Sequence, residues 1–418
     1  MLNITSYRSE INQLYHPTAK FNPESEKKVY SNQNINRLKF TPILLKEWFY
    51  LVKKNGHLIV DYKENTFCNM DKLEENMEWL WRGKYKILYH GSQKGYKVKE
   101  LGGNKNLGDN LIRFVCRKTV SLKLQNDDIT KWTFGIITNG KRLDFIEKII
   151  DSIRTQKIPN YEIIICGTYP LKIEKDIKYI KFNQKDDKGW ITKKKNLIVS
   201  IAKYENVCML HDRIALGKNW YKGMKKWGNC FENLGCIQMY KNMRVNDWIC
   251  SHFFINTKDR EDFSFESYVD YKDWYKTIWF LGQLNIFKKS LVVKNKLWWN
   301  ERLFYGQKED YYFSKKLNDN GLIHRFNNGS SVVTLTNKYV NPSYIKYNGL
   351  SLNPQMELSS INAFFKMITF FLLKSLNLMG FKISFIALEN IRGRIYTLIL
   401  MLDPEKFSHN KEWRQTIK

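Results

Sequence analysis

The chain has 418 residues, of which 43% are hydrophobic and 15% aromatic. This length and composition exclude a small disulfide-stapled scaffold and a largely disordered chain, and they allow two or three folded cores. The 69 Lys and Arg against 41 Asp and Glu give a net charge of +28, which predicts attraction to polyanions such as nucleic acid, anionic lipid or sugar nucleotides. Alternatively, the positive net charge reflects only a general abundance of lysine in the chain.

The cysteines and the N-terminus indicate the compartment. The seven cysteines form no CxxC pair, and Cys116, Cys166 and Cys208 fall inside apolar runs, where free thiols behave as small hydrophobes. The first residues, MLNITSYRSEINQLYH, contain neither an apolar signal core nor a cleavage site. We therefore expect a reducing, cytoplasmic setting.

Residues 1–123 form a first predicted unit of mixed α/β character. Helix-like segments at 42–56 and 70–81 alternate with strand-like segments at 57–62 and 111–118. This order resembles the C-terminal half of a class I methyltransferase, but the Gly-rich loop that would hold the cofactor is absent. We expect no S-adenosylmethionine binding. We expect a role in docking or dimerisation instead, and dimerisation would make the protein a homo-oligomer.

Beyond the polar stretch at 124–131, strands and helices alternate as in an open α/β sheet. The predicted strands cover 132–138, 161–167, 177–182 and a run ending at His211, and the predicted helices cover 142–156 and 192–204. Right-handed crossovers bring the carboxyl ends of such strands to one edge. Ligands of open α/β sheets bind at that edge.

The last of these strands ends on three ionisable residues, His211, Asp212 and Arg213. Strands buried on both faces read as continuous apolar runs, so the triplet marks the end of the strand, where chemistry is usually done. Two interpretations stay open from the residues alone. Asp212 either contributes to a site, or it only caps the next element or pairs locally with Arg213.

Residues 356–418 form a third predicted region, rich in large apolar side chains and interrupted by Lys366, Lys374 and Lys382. No run of eighteen apolar residues occurs, which argues against a membrane-spanning helix. A basic amphipathic helical segment at an anionic membrane surface is one interpretation, since its lysines can snorkel. Packing on the protein's own core or on a second subunit is the other.

Four segments in order resemble a GT-A fold glycosyltransferase of family 2, from Trp132 to about Asn328. They are FGIITNGKRLDF, KGWITKKKNLIVSIA, the triplet HDR and WWNERLFYGQKEDYYFSKKLNDNG. The resemblance implies an open, Rossmann-like mixed sheet with helices on both faces over residues 131–350. Together with the cytoplasmic setting expected above, a lipid-binding segment at 356–418 would make the protein peripheral to the inner face of the membrane.

The resemblance implies a nucleotide-sugar site. Its donor-binding residues would be Thr138, Asn139, Gly140, Lys195, Asn196, His211, Asp212 and Arg213. The acidic residue that usually follows the second strand and holds the base is replaced by Gly167 and Thr168. A cation near a helix N-terminus suits a diphosphate.

The triplet HDR stands where the family has DxD, whose carboxylates hold a divalent cation on the donor diphosphate. Two hypotheses follow from this departure. Arg213 supplies the positive charge in place of a metal, because a guanidinium can meet phosphate oxygens bidentately. Alternatively, Asp212 and His324 hold Mg or Mn together with the diphosphate oxygens.

The Glu-Asp pair gives the most specific match. By the resemblance Asp310 is the catalytic base and Glu309 its neighbour or an acceptor ligand, because a carboxylate must take the proton of the attacking hydroxyl. Asp247, Trp279, Gly282 and Trp298 fall where the family shapes its acceptor site. Core packing is the alternative fate of Trp279.

The matches together favour an inverting transfer of a monosaccharide from a nucleotide donor to a hydroxyl of a glycan or a lipid-linked glycan, as in polysaccharide biosynthesis. The alternative hypothesis is a non-catalytic protein that binds polyanions or nucleic acid on a degenerate transferase fold, which the net charge of +28 favours. No signature of a nucleic-acid module is present, so we expect no nucleic-acid partner.

Overall fold

A computed structural model of the chain describes residues 2–4, 22–32, 35, 41–65, 68–92, 110–122, 124, 127–170, 174–186, 188–227, 231–240, 243–244, 248–251, 263–264 and 278–336. The predicted region 356–418 and Asp247 lie outside these residues. Among the helices of the described ranges, none is long and apolar enough to cross a membrane.

The N-terminal part is a five-stranded sheet with helices on one face. Its strands are β1 (Leu2–Ile4), β2 (Glu26–Asn32), β3 (Val52–Tyr62), β4 (Tyr85–Ser92) and β5 (Ile112–Lys118), and its helices are α1 (Thr41–Leu51) and α2 (Met70–Trp81). The order is β1-β2-β3-β5-β4, with β1, β2 and β3 parallel and β5 antiparallel to both of its neighbours. Helix α2 has the predicted bounds, because Asn69 caps it by accepting a hydrogen bond from the Lys72 N–H at 2.9 Å.

The predicted first helix is too long at its C-terminal end. Helix α1 ends at Leu51, and Val52 already begins β3, where it pairs with Glu26 of β2. Asn55 has a φ of 65°, and a Cβ on Gly56 would lie 2.6 Å from the Lys27 carbonyl oxygen. Pairing with a strand distant in sequence therefore overrides the helical pattern of this segment.

A larger mixed sheet follows. Its strands are β6 (Lys131–Thr138), β7 (Asn160–Gly167), β8 (Ile177–Lys181), β9 (Asn206–His211), β10 (Ile214–Leu216), β11 (Asn233–Tyr240), β12 (Met243–Arg244), β16 (Leu284–Lys288) and β17 (His324–Thr334), and a small separate sheet contains β13 (Trp248–Ser251), β14 (Phe263–Ser264) and β15 (Ile278–Phe280). The larger sheet has the order β10-β17-β11-β16-β9-β6-β7-β8, with β12 on β11. Strands β6 to β9 are parallel to their neighbours within that group, and β16 runs antiparallel between β9 and β11.

Helices cover both faces of this sheet. They are α3 (Leu143–Arg154), α4 (Ile191–Ile201), α5 (Trp220–Trp227), α6 (Lys289–Lys294) and α7 (Glu309–Asp319). Helices α3 and α5 pack in one core through residues such as Ile149 and Trp220, and α4 and α7 pack in the other through residues such as Ile198 and Phe313. This arrangement confirms the predicted α/β class and is consistent with a GT-A-like fold.

The N-terminal part and the larger sheet share one hydrophobic core. Trp48 of α1 and Trp81 of α2 lie in the same buried cluster as Phe280 and Phe326. Two buried ion pairs cross the same junction, Lys46 with Glu232 at 2.9 Å and Glu47 with Arg325. The described residues of this N-terminal part, Trp48 and Trp81 among them, are thus packed against the larger sheet.

The junction also reaches the C-terminal end of α7. The Trp79 indole N–H donates to the Asn318 carbonyl at 2.7 Å, and the Lys46 ammonium donates to the Gly321 carbonyl at 2.6 Å. A cation and an N–H donor at this end complement the helix dipole and satisfy terminal carbonyl groups. Helix α7 is therefore held at the end opposite to its Glu309-Asp310 pair.

Candidate functional site

The predicted turn after β6 and the triplet after β9 meet at one edge of the sheet. Ile137 is paired with His211, so Thr138 and Asp212 leave adjacent strands together. The Thr138 hydroxyl donates to Asp212 Oδ2 at 3.1 Å and accepts from the Gly140 N–H at 2.9 Å. The Asp212 N–H donates to the Ile137 carbonyl at 3.2 Å. The structure thus brings together these residues, whose contact with a donor stays a prediction.

Arg142 completes this turn, although the sequence patterns did not single it out. Its Nη1 lies 2.7 Å from Asp212 Oδ1, and its side chain is about a quarter exposed while that of Asp212 is buried. The partner of Asp212 is therefore Arg142 rather than Arg213. A partly exposed guanidinium at the start of α3 is well suited to bind an anion, since its donors form a planar fork.

Two glycines allow the ends of β6 and β7 to approach closely. Gly167 has a φ of 141°, and a Cβ there would lie only 1.9 Å from the Thr138 carbonyl oxygen. Gly140 has a φ of 81°, and a Cβ there would lie 2.9 Å from Thr168 Cγ2. The missing acidic residue after the second strand is thus replaced by a residue that the backbone requires to be glycine. Asn139 beside them is exposed and accepts from the Lys141 N–H at 3.2 Å.

His211 and Arg213 are buried and face the strand that follows Gly282. The Arg213 Nη2 donates to Gln283 Oε1 at 2.9 Å, and the His211 N–H donates to the Gln283 carbonyl at 3.1 Å. The pKa of His211 lies well below its usual value because of burial, with Lys195 and Arg213 adding repulsion of the charged form, while a hydrogen bond to the Gly282 backbone opposes the shift. Burial therefore favours the neutral form of His211.

The Glu-Asp pair opens α7 beside the same strand. Asp310 Oδ2 accepts from the Gly282 N–H at 2.9 Å, and Oδ1 accepts from the Tyr311 N–H at 2.9 Å. Burial raises the pKa of Asp310, opposed by the Gly282 N–H and by Lys195. Burial also raises the pKa of Glu309, which is 7% exposed, and the neighbouring Asp310 adds to that rise. The half-buried Asp310 carboxylate, with its raised pKa, is suited to accept a proton.

The lysine that contacts the turn after β6 is Lys194, whereas the resemblance predicted Lys195 at this place. The Lys194 ammonium donates to the Thr138 carbonyl at 2.6 Å and pairs with Asp186 at 2.5 Å. Lys195 points instead to β16 and the residues before it, where its ammonium donates to the Gly282 carbonyl at 2.7 Å and to Asn285 Oδ1 at 3.2 Å. Successive helical residues point about 100° apart, which separates the two lysines.

Asn196 also lies away from the turn after β6. Its Nδ2 donates to the Trp299 carbonyl and to Glu301 Oε1, each at 3.0 Å, and its Oδ1 accepts from the Trp299 N–H at 3.0 Å. These contacts hold the segment that precedes α7. Asn196 thus fixes the backbone at Trp299 and contacts Glu301, and its predicted donor contact stays a prediction.

The predicted acceptor residues divide into two groups. Trp279 is buried, with its ring edge on Tyr311 at a centroid distance of 5.7 Å, so it packs as a core residue beside Gly282. Trp298 is half-buried and borders a cleft of 410 Å³ whose other lining residues include Lys193 and Ser200. Asp247 lies outside the described residues.

The predicted metal pair of Asp212 and His324 is wrong. His324 pairs with Asn233, Asn233 with Phe287 and Phe287 with Val207, which places His324 three strands from β9 and level with its start. Three strand spacings of about 4.8 Å separate His324 from β9, which is too far for His324 and Asp212 to bind the same ion. Its ring nitrogens are engaged by Asn233 and, at 2.9 Å, by the Ser314 carbonyl.

No cluster of three or more His, Cys, Asp or Glu side chains suited to an ion occurs in the part of the chain that the structure describes. Asp212 is a single carboxylate whose two oxygens are taken up by Arg142 and Thr138. These residues do not fit a divalent cation held by the protein alone.

Comparison with known proteins gives only distant structural likeness. No family model and no curated protein matches the chain. TarS of S. aureus is similar in structure at 12% identity, with 65% of this chain and 43% of that chain covered and a TM-score of 0.36. The 1–349 part of TarS in complex with UDP-GlcNAc is similar at 12% identity over 69% and 76%, with a TM-score of 0.34.

GalNAc-T7, solved with UDP, GalNAc and Mn²⁺, is similar at 10% identity over 57% of this chain and 48% of that chain, with a TM-score of 0.36. The present chain thus spans less than half the length of the first TarS structure and of GalNAc-T7. Likeness at this level concerns the fold alone and leaves the function to be argued from the site.

Proposed function

We propose that this protein is a nucleotide-sugar-dependent glycosyltransferase that moves a monosaccharide to a hydroxyl of a glycan or glycolipid acceptor, with inversion. The observation that carries the proposal is the position of Gly282. The Gly282 N–H donates to Asp310 Oδ2 at 2.9 Å, and the carbonyl of the next residue, Gln283, accepts from the His211 N–H at 3.1 Å, so two successive residues link the triplet to the carboxylate.

The turn after β6, residues 138–142, is the donor-side turn of this proposal. It has the chemistry that a diphosphate needs. Arg142 and Lys194 bring two positive side chains to the end of β6, where Gly140 and Gly167 let the backbone approach closely. The diphosphate leaving group gains charge as the glycosidic bond breaks, and positioned cations stabilise it. No step is assigned to a metal, because Asp212 alone does not fit one.

Asp310 is proposed to act as the base. The acceptor hydroxyl gives its proton to the Asp310 carboxylate, its oxygen forms the new bond to the anomeric carbon, and the bond from that carbon to the diphosphate oxygen breaks with its electrons leaving on the nucleotide. Such proton transfer contributes about a hundredfold or more. The Gly282 and Tyr311 N–H groups orient the carboxylate.

Exposed aromatic rings support a carbohydrate acceptor. Within the described residues, the exposed large hydrophobic side chains are Leu88, Ile201, Tyr305 and Tyr312. Tyr305 and Tyr312 flank the Glu309-Asp310 pair in sequence, and the Tyr312 ring packs on Tyr311 at 5.4 Å. Exposed aromatic rings near the carboxylate pair in sequence suit a sugar ring, which presents an apolar face and polar edges.

The test is release of nucleotide from a panel of sugar nucleotides, measured with and without monosaccharide, oligosaccharide and lipid-linked glycan acceptors, each in chelator and with added Mg²⁺ or Mn²⁺. We expect one donor class to release nucleotide faster in the presence of an acceptor, with a glycosylated product detected by mass spectrometry. Absence of release from every donor, together with tight salt-sensitive binding of nucleic acid, would favour the polyanion-binding hypothesis instead.

A further inference from the structure

The backbone of Gly282 joins two side chains that the sequence assigned to opposite halves of the site. Its N–H donates to Asp310 Oδ2 at 2.9 Å, and its carbonyl accepts from the Lys195 ammonium at 2.7 Å. Within the described residues, Lys195 makes no direct ion pair with either carboxylate, and its other hydrogen bond goes to Asn285 Oδ1 at 3.2 Å. Lys195 therefore reaches Asp310 through the Gly282 backbone.

Three charged groups converge on the Cα of Gly282. A Cβ built there would lie 3.0 Å from Asp310 Cβ, 3.2 Å from Glu309 Oε1 and 3.4 Å from Lys195 Nζ. The ammonium and the Glu309 oxygen are thus no more than about 7 Å apart, a range at which charges interact strongly in a buried setting. The absence of a side chain at Gly282 is what admits all three.

Lys195 is fully buried, so its charge is costly unless its surroundings use it. Burial lowers its pKa, whereas Glu309 and Asp310 raise it. The charged groups that act on Asp310 are Lys195 on α4 and Glu309 on α7. Lys195 in turn lies close enough to His211 at the end of β9 and to Arg213 after it to interact with both. The lysine favours the ionised form of Asp310 and Glu309 opposes it.

We propose that Lys195 is a positioning residue for the base: it fixes the Gly282 carbonyl so that the Gly282 N–H faces Asp310, and its charge keeps that carboxylate ionised. This inference rests on the proposed function for its kinetic consequence. It assigns donor contact to Lys194, whose ammonium lies on the Thr138 carbonyl.

The kinetic test compares Lys195→Met with Lys194→Met, a matched variant one residue away on α4. Lys195→Met should lower kcat about tenfold or more, leave the donor KM within about twofold, and move the acidic limb of the kcat profile to higher pH. Lys194→Met should raise the donor KM and leave that limb in place. A raised donor KM with an unmoved acidic limb in Lys195→Met would overturn the proposal.

A second variant covers the case in which Lys195→Met fails to fold. Asn285→Asp preserves the side-chain shape and places a negative charge 3.2 Å from the ammonium, which offsets the field of Lys195 at Asp310. It too should move the acidic limb to higher pH. An acidic limb at the wild-type pH in a folded Asn285→Asp variant would contradict the electrostatic part of the proposal.

A measurement independent of catalysis separates this inference from the proposed function. Carbon-13 labelling of aspartate, with Asp310→Asn to assign the signal, allows the Asp310 carboxyl to be titrated by NMR in wild type and in Lys195→Met. The pKa of Asp310 should rise in the variant. An unchanged titration would overturn the inference even if the enzyme transfers sugar, and a raised pKa would uphold it even if no donor is found.

Discussion

Gly282→Ala is the smallest change that tests the geometry of the site. The new methyl group would meet Asp310 Cβ at 3.0 Å, Glu309 Oε1 at 3.2 Å and Lys195 Nζ at 3.4 Å, and a carbon contact normally needs about 3.5 to 4.0 Å. The α7 terminus or the two side chains must therefore move by several tenths of an ångström. Gly282 has no positive φ, so the effect comes from space rather than from backbone strain.

We expect Gly282→Ala to lower kcat by about ten- to a hundredfold, since misplacement of a reacting group by about 1 Å can cost a hundredfold. The free energy of unfolding should fall by only about 1 to 3 kcal/mol, which is typical of overpacking. Steady-state kinetics and urea unfolding measure the two quantities.

The matched control is Gly91→Ala in β4, where a new Cβ meets Tyr89 at an ordinary 3.4 Å and touches no part of the site. It should leave kcat unchanged. Wild-type kcat in Gly282→Ala would refute the placement of Gly282 between the donor-side turn and the base.

The remaining predictions concern three other parts of the chain. Arg142→Ala should raise the donor KM about ten- to a hundredfold, with Arg142→Lys intermediate, because a charge-assisted hydrogen bond is worth about 1.5 to 3 kcal/mol; an unchanged donor KM would remove Arg142 from the site. Lys46→Met should lower the free energy of unfolding by about 3 kcal/mol or more because it leaves Glu232 buried without its ion-pair partner, and Lys46→Met with Glu232→Gln should recover part of that loss in urea unfolding. The full chain should co-sediment with anionic vesicles and lose binding as salt rises, while a chain ending near Asn353 stays in solution; unfolding or a changed oligomeric state in the shorter chain would favour core packing of residues 356–418 instead.

Elements with strong local signals were predicted accurately. Helix α2 has its predicted bounds because Asn69 is a local cap, and β9 ends at His211 as the apolar run predicts. The buried Cys116, Cys166 and Cys208 likewise agree with their apolar surroundings. Local propensity and burial pattern in these segments agree with the tertiary fold, so sequence was sufficient.

Features set by tertiary geometry could not be read from the sequence. In the run of lysines at 193–195, only the rotation of α4 against the sheet decides which ammonium faces the donor-side turn. His324 looked available as a ligand, but strand order places it three strands from Asp212. Arg142 carried no signal beyond its position after a Gly turn, which is a weak cue.

The role of the N-terminal part is a further case. Its order of elements predicts a docking or dimerisation unit, and Lys46 and Trp79 bind carbonyl groups at the end of α7. Nothing in residues 1–123 alone indicates that surface, because the partner carbonyls lie more than two hundred residues away in sequence. Buried side chains of α2, such as Trp81, belong to the same hydrophobic cluster as Phe326 of the larger sheet.

The most direct test of the account is kcat of Asp310→Asn beside Asp319→Asn, its control at the other end of α7, where Asp319 is an exposed ion-pair partner of Lys315. Asp310→Asn keeps the shape of the side chain but removes its capacity to take a proton, so kcat should fall about a hundredfold or more while the donor KM stays near that of the wild type. Asp319→Asn should turn over as the wild type does. Near-normal kcat in a folded Asp310→Asn variant would contradict the assignment of Asp310 as the base.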